Sequence, residues 1–597
     1  MARRQRTKQP RAEKLSSAFR ALRGPFAAVV VFSFFINLLM LVAPMYMLQV
    51  YDRVLSSRNE TTLLMLTIIA VGLLIVFGLL ELVRSRVLVR VGLKFDEALG
   101  SDTFRAVFKR AVRRAGDSGS QPLRDLDSVR DFLTGQGLIS FCDAPWVPVF
   151  LAVIYMFHPV LGMVATIGAI VIFSLALLNE VTTRQPLADA GKDSVTANSF
   201  VTTSLRNAEA VSAMGMMPGL MRRWRRKQGK VLSLQSLASD RSGAILASSK
   251  ATRMCLQVAM LGTGAYLAIH REITPGTMIA GSILMGRALA PVESAVGQWR
   301  GFIKARNAMQ RLNDLLLPLE NEREPMRLPA PKGELSAENA VVVPPGTRTP
   351  VLRGVRFKLA PGEAMGVIGP SGAGKSSMAR ALTGVWPVAS GAIRLDGADL
   401  GDWDREQLGP YVGYLPQDVE LFEGTVAENI ARFQEVDPDE VVRAAKRAGA
   451  HETVLRLPQG YDTEVGASGQ SLSGGQRQRI GLARALYGDV RIVLLDEPDA
   501  NLDSAGEKAL VNALAQAKQA GVTMVMITHR PPLLGNADKV LALDQGQVQA
   551  FGPRDEVLQK FTRPASVEGQ QRRQVTGEGE GGGAGGGASS AAGPAPS

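Results

Sequence analysis

The sequence predicts a polytopic α-helical membrane domain followed by an α/β domain. Three features support this fold class: long apolar segments in the first half, an uneven distribution of basic residues between the loops that join them, and strands that alternate with helical segments in the second half. The chain has 597 residues, of which 46% are hydrophobic and 21% are charged. This composition excludes collagen-like, fully disordered and disulfide-stapled chains.

Six apolar segments are long enough to cross a bilayer, because about 20 apolar residues span a hydrocarbon core of about 30 Å. We number them as spans one to six: residues 26–48, 62–83, 138–157, 160–179, 252–269 and 274–295. The first follows a basic N-terminus, residues 1–24, and is too long for the apolar core of a cleaved secretory signal. We therefore predict an uncleaved anchor and a membrane domain at residues 25–320.

The basic residues predict the orientation of the spans. The N-terminus and the two long loops, residues 85–137 and 181–244, carry 28 Lys and Arg residues, whereas the short loops on the other side carry three. Loops rich in Lys and Arg stay in the cytoplasm. The N-terminus, both long loops and everything after residue 296 are therefore predicted to be cytoplasmic, and much of the net charge of +13 needs no nucleic acid partner.

The two long loops are predicted to be helices that continue out of the membrane. In residues 121–133, Leu123, Leu126, Val129 and Phe132 recur at three-residue spacing among charges, which is an amphipathic pattern. Residues 203–217 form a second stretch of mixed character. Short helices of this kind are suited to dock onto the soluble domain.

A linker at residues 321–334 is predicted to precede the α/β domain, residues 335–563. Strand-like runs at residues 364–368, 492–495 and 523–527 alternate with helical segments, which is typical of a parallel sheet. Residues 564–597 are rich in Gly, Ala and Ser, and we predict that this tail is disordered.

The two cysteines, Cys142 and Cys255, lie in apolar stretches and lack the spacing of metal ligands. We therefore expect both to be small core residues.

A glycine-rich loop follows the first of these strands and fits the pattern G-x-x-x-x-G-K-[ST]. Its glycines allow backbone N–H groups to curl around phosphates at a helix N-terminus. Lys375 is expected to reach the β- and γ-phosphate oxygens, and Ser376 a Mg²⁺ ion. The predicted nucleotide-binding residues are Gly369, Pro370, Ser371, Gly372, Ala373, Gly374, Lys375, Ser376 and Ser377.

Two carboxylates follow the apolar strand at residues 492–495. Asp496 is placed to hold Mg²⁺ through water, and Glu497, one residue further, to act as a base or to orient a water for in-line attack. The alternative, two solvated surface acids, is disfavoured because the strand that precedes them is apolar.

The segment Leu-Ser-Gly-Gly-Gln at residues 472–476 resembles the signature sequence of ATP-binding cassette (ABC) proteins. The other elements occur in the family's order, since Gln417 resembles the Q-loop, Asp503 the D-loop and His529 the switch histidine. The resemblance implies that Glu497, His529 and Gln417 are catalytic and that Ser376, Gln417 and Asp496 surround Mg²⁺. It also implies a signature contact to ATP held by a second copy, from Leu472, Ser473, Gly474, Gly475 and Gln476.

For assembly, the resemblance implies a head-to-tail homodimer with twelve spans and two hydrolytic ATP sites.

One position departs from the family's pattern. Exporter cassettes usually carry a tyrosine upstream of the P-loop, where it stacks on adenine. Aligning Glu338 and Asn339 with the usual start of the cassette puts Pro344 at that position in this chain. We hypothesise weaker base selectivity or a substitute apolar contact from Val343 or Pro344.

Six spans followed by a cassette resemble the exporter-type half transporters. Segments at residues 143–148, 204–209, 213–216 and 286–291 resemble the type I secretion ATPases that export proteases, lipases and haemophores (PrtD-like). This group implies an inner-membrane ATPase that exports an unfolded polypeptide with a C-terminal signal. It further implies two partners, a periplasmic adaptor (membrane fusion protein) and a TolC-like outer-membrane channel.

Two other functions remain open at this point. A flippase or exporter of lipid or of a small amphipathic molecule has the same architecture, and lipid-stimulated ATP hydrolysis would indicate it. A nucleic-acid-linked cassette ATPase is disfavoured by the six spans and by the charge asymmetry. The sequence does not identify the cargo.

The charged residues inside predicted spans include Arg287 and Asp143. Arg287 is 13 residues into span six, about 20 Å along a helix, where it either lines the translocation path or sits near the cytoplasmic interface. Asp143, near the inner end of span three, is expected to cap or pair structurally.

Overall fold

The computed structural model describes residues 12–113, 120–320, 326–466, 469 and 471–562. The first part of the basic N-terminus, the first residues of the linker and the predicted tail at residues 564–597 lie outside the described residues. The chain divides into two compact units, Met1–Arg323 and Glu324–Ser597.

The described residues of the first unit form helices joined by short turns. A π-helix, Val50–Val54, lies between α3 and α4, and a 3-10 turn, Ala144–Trp146, between α7 and α8. The helices are α1 (Glu13–Ala21), α2 (Arg23–Leu39), α3 (Val42–Gln49), α4 (Leu55–Ser57), α5 (Glu60–Arg113), α6 (Gln121–Thr134), α7 (Gln136–Asp143), α8 (Val147–Phe157), α9 (Pro159–Arg206), α10 (Ala208–Ala213), α11 (Met217–Ile269), α12 (Pro275–Gly297) and α13 (Trp299–Glu320).

Five helical segments among the described residues are long and apolar enough to cross a membrane: Arg23–Ser57, Glu60–Arg113, Gln136–Phe157, Pro159–Arg206 and Pro275–Gly297. They contain the predicted spans one to four and, apart from its first residue, span six. The predicted span five is the C-terminal part of α11, which is helical but is not among the five. Its residues include Arg253 and Gln257, which reduce its apolar character.

In their described residues the long loops are largely helical, as predicted. Helices α5, α9 and α11 have 54, 48 and 53 residues, so they are about 70–80 Å long at 1.5 Å per residue and extend well beyond a bilayer. The amphipathic stretch that begins at residue 121 is α6, whose Leu126, Val129 and Leu133 are buried.

Two apolar cores stabilise the first unit. One joins α8, α9, α11 and α12 through side chains that include Phe150, Leu161, Ile172, Met260 and Leu284. The other joins α1, α5, α6 and α13 through side chains that include Leu15, Phe95, Leu99, Leu126 and Leu312. The sequence did not reveal that α1, within the basic N-terminus, belongs to this second core.

The prediction that both cysteines are small core residues is wrong for Cys255, which is exposed, while Cys142 is half-buried.

The second unit is an α/β domain. Its strands are β1 (Leu335–Val342), β2 (Leu352–Leu359), β3 (Ala364–Ile368), β4 (Val388–Leu395), β5 (Ala398–Asp399), β6 (Val412–Leu415), β7 (Gly424–Thr425), β8 (Glu464–Val465), β9 (Ile492–Asp496), β10 (Thr523–Ile527), β11 (Lys539–Asp544) and β12 (Gln547–Pro553). Its helices are α14 (Lys375–Leu382), α15 (Arg405–Leu408), α16 (Val426–Ile430), α17 (Pro438–Arg447), α18 (His451–Leu455), α19 (Gly474–Ala485), α20 (Ser504–Gln519), α21 (Pro531–Leu534) and α22 (Arg554–Thr562).

The main sheet of this unit has the strand order β12-β11-β3-β10-β9-β6 among the described residues. The pairs from β11 to β6 are parallel, and β12 is an antiparallel edge. Strands β9 and β10 are buried along their whole length, as expected where helices cover both faces of a parallel sheet. The predicted parallel α/β sheet is confirmed, whereas the separate antiparallel sheet, β2-β1-β4-β5, was not predicted.

Candidate functional site

The glycine-rich loop joins β3 to α14 at the carboxyl edge of the main sheet. Gly369 has a φ of 154°, and a Cβ there would lie 2.1 Å from the carbonyl oxygen of Leu543, so this position requires glycine. Gly374 is the N-cap of α14 with a φ of 102°. The loop therefore turns back sharply onto the start of a helix, an arrangement in which backbone N–H groups bind anions.

Lys375 is folded into this loop. Its Nζ atom donates hydrogen bonds to the carbonyl oxygens of Gly369, at 2.7 Å, and Pro370, at 3.0 Å. Burial lowers the pKa of Lys375, and the nearby charges of Glu497 and Asp496 oppose that shift. The ammonium group thus faces two carboxylates that come from a different strand.

Asp496 ends β9 and is buried, with 3% of its surface exposed. Burial raises the pKa of Asp496, and a hydrogen bond from the Ser376 hydroxyl opposes this. Its Oδ1 atom is buried and accepts no hydrogen bond within the described chain. A buried acceptor without a partner, beside a hydroxyl, fits the oxygen-donor shell that Mg²⁺ requires.

Glu497 and Gln417 are brought together from different strands. Gln417 lies just beyond β6, and its Nε2 atom donates a hydrogen bond of 2.7 Å to Oε2 of Glu497. The backbone of Glu497 has a φ of 50°, in the left-handed region that is costly for a residue other than glycine. Its N–H donates to the carbonyl oxygen of Ile527, at 2.9 Å, which holds this conformation against β10.

His529 lies at the same edge of the sheet. In the parallel register of β9 and β10, Ile527 is opposite Asp496, so His529 and Glu497 both follow the carboxyl ends of adjacent strands. The side chain of His529 is exposed and forms no hydrogen bond with the described residues. The neighbouring Arg530 is held by Asp499, at 3.3 Å, and by Glu507, at 3.0 Å.

The signature segment begins α19. Ser473 is the N-cap, and its hydroxyl accepts from the N–H of Gln476, whose side chain accepts from the N–H of Ser473 in return. Leu472 is buried. Gly474 and Gly475 lie against Asn501 of the D-loop, since a Cβ on Gly475 would be 3.0 Å from the Asn501 carbonyl oxygen. Within the described chain, no hydrogen bond or ion pair joins these residues to the glycine-rich loop.

The D-loop is attached to the same helix. Asp503 is the N-cap of α20 and accepts from the N–H of Gly506, at 2.8 Å, and from the Arg479 guanidinium, at 2.6 Å. The hydrogen bond from Gly506 contributes most to lowering the pKa of Asp503, and the Arg479 guanidinium lowers it further. Gln478 also links α19 to the acidic strand, because its Nε2 atom donates to the carbonyl oxygen of Pro498, at 3.0 Å.

Four further residues at this site were not predicted from the sequence: Gln478, Arg479, Asp499 and Arg530. Their positions were the available signal. Gln478 and Arg479 lie within three residues of the end of the signature segment, and Asp499 and Arg530 lie close to Glu497 and His529. Their partners lie 20 or more residues away along the chain, so their contacts depend on the fold.

Pro344 lies in a turn between β1 and β2. Its carbonyl oxygen accepts hydrogen bonds from the backbone N–H and the hydroxyl of Thr347, at 3.1 and 2.9 Å.

Arg287 is exposed on α12 and has no ion pair with the described residues. It lies on the side of the helix opposite four fully buried residues, Leu284, Met285, Ala288 and Leu289.

Comparison with known proteins gives matches along most of the chain. The model of the ABC transporter family matches residues 352–500, and that of the ABC transporter transmembrane region matches residues 26–291. The type I secretion system ATP-binding protein PrsD of Rhizobium meliloti (strain 1021) is 45% identical over 567 residues, which cover 95% of this chain and 97% of that protein.

More distant matches agree with this one. The leukotoxin translocation ATP-binding protein LktB of Mannheimia haemolytica is 30% identical over 546 residues, covering 90% of this chain and 77% of LktB. A solved structure of a bacterial Atm1-family ABC exporter with ATP bound matches with a TM-score of 0.77 and 24% identity, covering 90% of this chain and 97% of the other. At that identity the match shows the fold alone.

Proposed function

Since the chain belongs to the ABC transporter family, as a homologue of the type I secretion ATP-binding proteins, we propose that it is the ATP-hydrolysing subunit of a polypeptide exporter. It is a multi-pass bacterial membrane protein and an ATPase coupled to transport. The similarity to PrsD along 95% of the chain carries this conclusion. The grouping of Lys375, Asp496, Glu497 and Gln417 at one edge of the sheet supports it.

In the proposed reaction, water attacks the γ-phosphate of ATP, and the bond from that phosphorus to the β–γ bridging oxygen breaks. Lys375 binds the β- and γ-phosphate oxygens, and the N–H groups of the loop from Gly369 to Ser377 surround the phosphates. Glu497 orients the attacking water and accepts its proton, while Gln417 holds the Glu497 carboxylate. His529, exposed beside them, is free to contact the γ-phosphate.

Ser376, Gln417 and Asp496 are the residues that would hold Mg²⁺. When bound, the ion neutralises charge on the β- and γ-phosphate oxygens. The unpartnered Oδ1 atom of Asp496 supports this assignment.

We expect the replacement of Asp496 with Asn to raise the Mg²⁺ concentration needed for half-maximal ATP hydrolysis by about 10- to 100-fold, because a partner that orients a metal's ligands is lost. Hydrolysis measured across a Mg²⁺ titration tests this. Asp489→Asn is the matched control, because Asp489 is exposed and pairs with Arg491. An unchanged Mg²⁺ requirement in Asp496→Asn would contradict the assignment.

A homodimer would complete two such sites. The chain has one membrane half and one cassette, and Ser473, Gly474, Gly475 and Gln476 are at least partly exposed at the start of α19. In the proposed dimer these residues contact ATP bound by the second copy. Asp503 orders the D-loop, which lies between the two ATP sites in this proposal. Developing negative charge is then stabilised by donors from both chains.

The proposed location is the inner membrane, with the N-terminus and the cassette in the cytoplasm. The excess of Lys and Arg in the long loops supports this orientation. The proposed partners are a periplasmic adaptor, a TolC-like outer-membrane channel and a secreted polypeptide with a C-terminal signal, and no nucleic acid is involved. Arg287, exposed within span six, is the proposed residue of the translocation path.

Export can be tested by co-expressing the chain with candidate adaptor and channel proteins and with the polypeptide encoded beside it in its genome. We expect this polypeptide in the medium with the wild type and with Glu435→Gln, an exposed control in the cassette, but not with Glu497→Gln. Equal amounts in the medium with Glu497→Gln would refute the mechanism. ATP hydrolysis stimulated by lipid vesicles, and not by the polypeptide, would indicate a flippase instead.

The turn at Pro344 leads to a prediction about base selectivity. We expect the wild type to hydrolyse GTP and ATP at similar rates, and Pro344→Tyr to favour ATP, because stacking of an aromatic side chain on a base contributes about 1–3 kcal/mol. Competition between the two nucleotides for hydrolysis measures this. A strong ATP preference in the wild type would show that Val343 or Pro344 already replaces the aromatic contact.

A further inference from the structure

The cytoplasmic helix α6 and the first segment of span three, α7, form a rigid corner. Gly135 separates them, and a Cβ there would lie 2.7 Å from the carbonyl oxygen of Asp131. A Cβ on Gly137 would lie 2.5 Å from the ring of Phe132, so the end of α6 packs directly on the start of α7. The rings of Phe132 and Phe141 also contact each other across this corner, with centroids 6.2 Å apart. Movement of α6 is therefore transferred to α7.

An ion pair ties the α6 arm of the corner to α13. Asp125 is 2% exposed and accepts two hydrogen bonds from the Arg311 guanidinium, from Nε and Nη2, each at 2.7 Å. This fork is the strong geometry for an Arg–carboxylate pair. The hydrogen bond to Asp125 raises the pKa of Arg311.

A second buried ion pair ties the α7 arm to spans one and two. Arg84, on α5, is 3% exposed, and its Nη1 atom lies 3.2 Å from Oδ1 of Asp143 at the end of α7. Asn37, on α2, donates to the same Oδ1, at 2.9 Å. Arg84 also donates to the Ser33 hydroxyl, at 3.1 Å, and to Glu81, at 2.7 Å. The prediction that Asp143 pairs structurally is confirmed.

Span three is interrupted immediately after Asp143. The 3-10 turn Ala144–Trp146 contains Pro145, and the second residue of α8 is a further proline, Pro148. Proline lacks a backbone N–H, so the hydrogen-bond ladder that would make α7 and α8 one continuous helix is broken here. Fewer backbone hydrogen bonds therefore fix the direction of α8 relative to α7, directly after the residue that carries the buried charge.

We propose that Asp143 is a positioning residue for transport: its ion pair with Arg84 anchors the α6–α7 corner at the break in span three. With this anchor, a displacement of α6 turns α8 about the break, whereas without it the corner slides past α2 and α5. Charged residues buried in a membrane domain are costly and indicate a function. The inference rests on the proposed function, because it concerns how ATP hydrolysis is coupled to export.

The test compares Asp143→Asn with Asp143→Glu, which keeps the charge. Asp189→Asn is the control, because Asp189 is half-exposed and forms an ion pair with Lys192 on the same helix. For each variant, membrane abundance, ATP hydrolysis and the amount of the co-encoded polypeptide in the medium are measured.

We expect Asp143→Asn to export about 2- to 30-fold less polypeptide per ATP hydrolysed, the range found for residues that couple distant sites, with ATP turnover near the wild-type value. Asp143→Glu and Asp189→Asn should resemble the wild type. An unchanged ratio in Asp143→Asn, or export and hydrolysis that fall together in proportion to protein abundance, overturns the proposal. Where Asp143→Asn does not accumulate, Arg84→Gln, which removes the charge of the other partner, takes its place with the same expected results.

Spin labels on α6 and α8 give a second readout. With both native cysteines replaced by serine, labels at Arg124→Cys and Val149→Cys should report a distance that changes when ATP binds. Asp143→Asn should abolish this change, and its persistence overturns the proposal. If the wild type exports nothing, the proposed function fails, whereas export by the wild type with an unaltered ratio in Asp143→Asn removes only this inference.

Discussion

Replacing Glu497 with Gln is expected to reduce the rate of ATP hydrolysis by about 10²- to 10⁴-fold, the usual contribution of a general base. A glutamine has the same shape as glutamate, and its amide oxygen can accept the hydrogen bond that Gln417 donates at 2.7 Å. The strained backbone at this position is also unchanged. The substitution therefore removes the basicity of the carboxylate and little else, and ATP should still bind.

Single-turnover phosphate release, measured beside equilibrium binding of a fluorescent ATP analogue, separates these two effects. Gln417→Ala should lower hydrolysis less than Glu497→Gln, because it removes the partner of the carboxylate and leaves the base in place. A rate for Glu497→Gln within tenfold of the wild type would show that another group accepts the proton.

Replacing Lys375 with Ala is expected to weaken ATP binding by about 10²- to 10⁴-fold. The ammonium group would donate two charge-assisted hydrogen bonds to the phosphates, worth about 1.5–3 kcal/mol each, and 1.4 kcal/mol corresponds to a factor of ten in affinity. In the structure burial lowers the pKa of this group, and the nearby charges of Glu497 and Asp496 offset only part of that shift. Without it, the polyphosphate would lie beside two carboxylates that lack this counter-charge.

Isothermal titration of the full-length protein with ATP measures the change in affinity. Lys508→Ala is a suitable control, since Lys508 is exposed on α20 and has no ion pair among the described residues. Binding by Lys375→Ala within threefold of the wild type would contradict the assigned contact, provided that the variant is present in the membrane at the wild-type level.

Local pattern alone was sufficient for much of the fold. Strands β3 and β10 have the predicted bounds, because continuous apolar runs bounded by glycine or polar residues form buried strands wherever they pack. Helix α6 begins at the predicted residue. Here the signal was the three-residue spacing of apolar side chains, which specifies one face of a helix. The antiparallel sheet was missed because its strands have bulges and alternate less regularly.

The sequence by itself determined the class of protein, the order of its elements and the residues that bind nucleotide in the family it resembles, since these depend on short motifs and on apolar length. Only the tertiary structure decided which of these residues meet: Gln417 and Glu497, 80 positions apart, or Arg84 and Asp143, 59 positions apart. Such pairs form because the sheet aligns the ends of distant strands and because buried charges must find partners. Neither the alignment of distant strand ends nor the pairing of buried charges can be predicted from the order of residues along the chain.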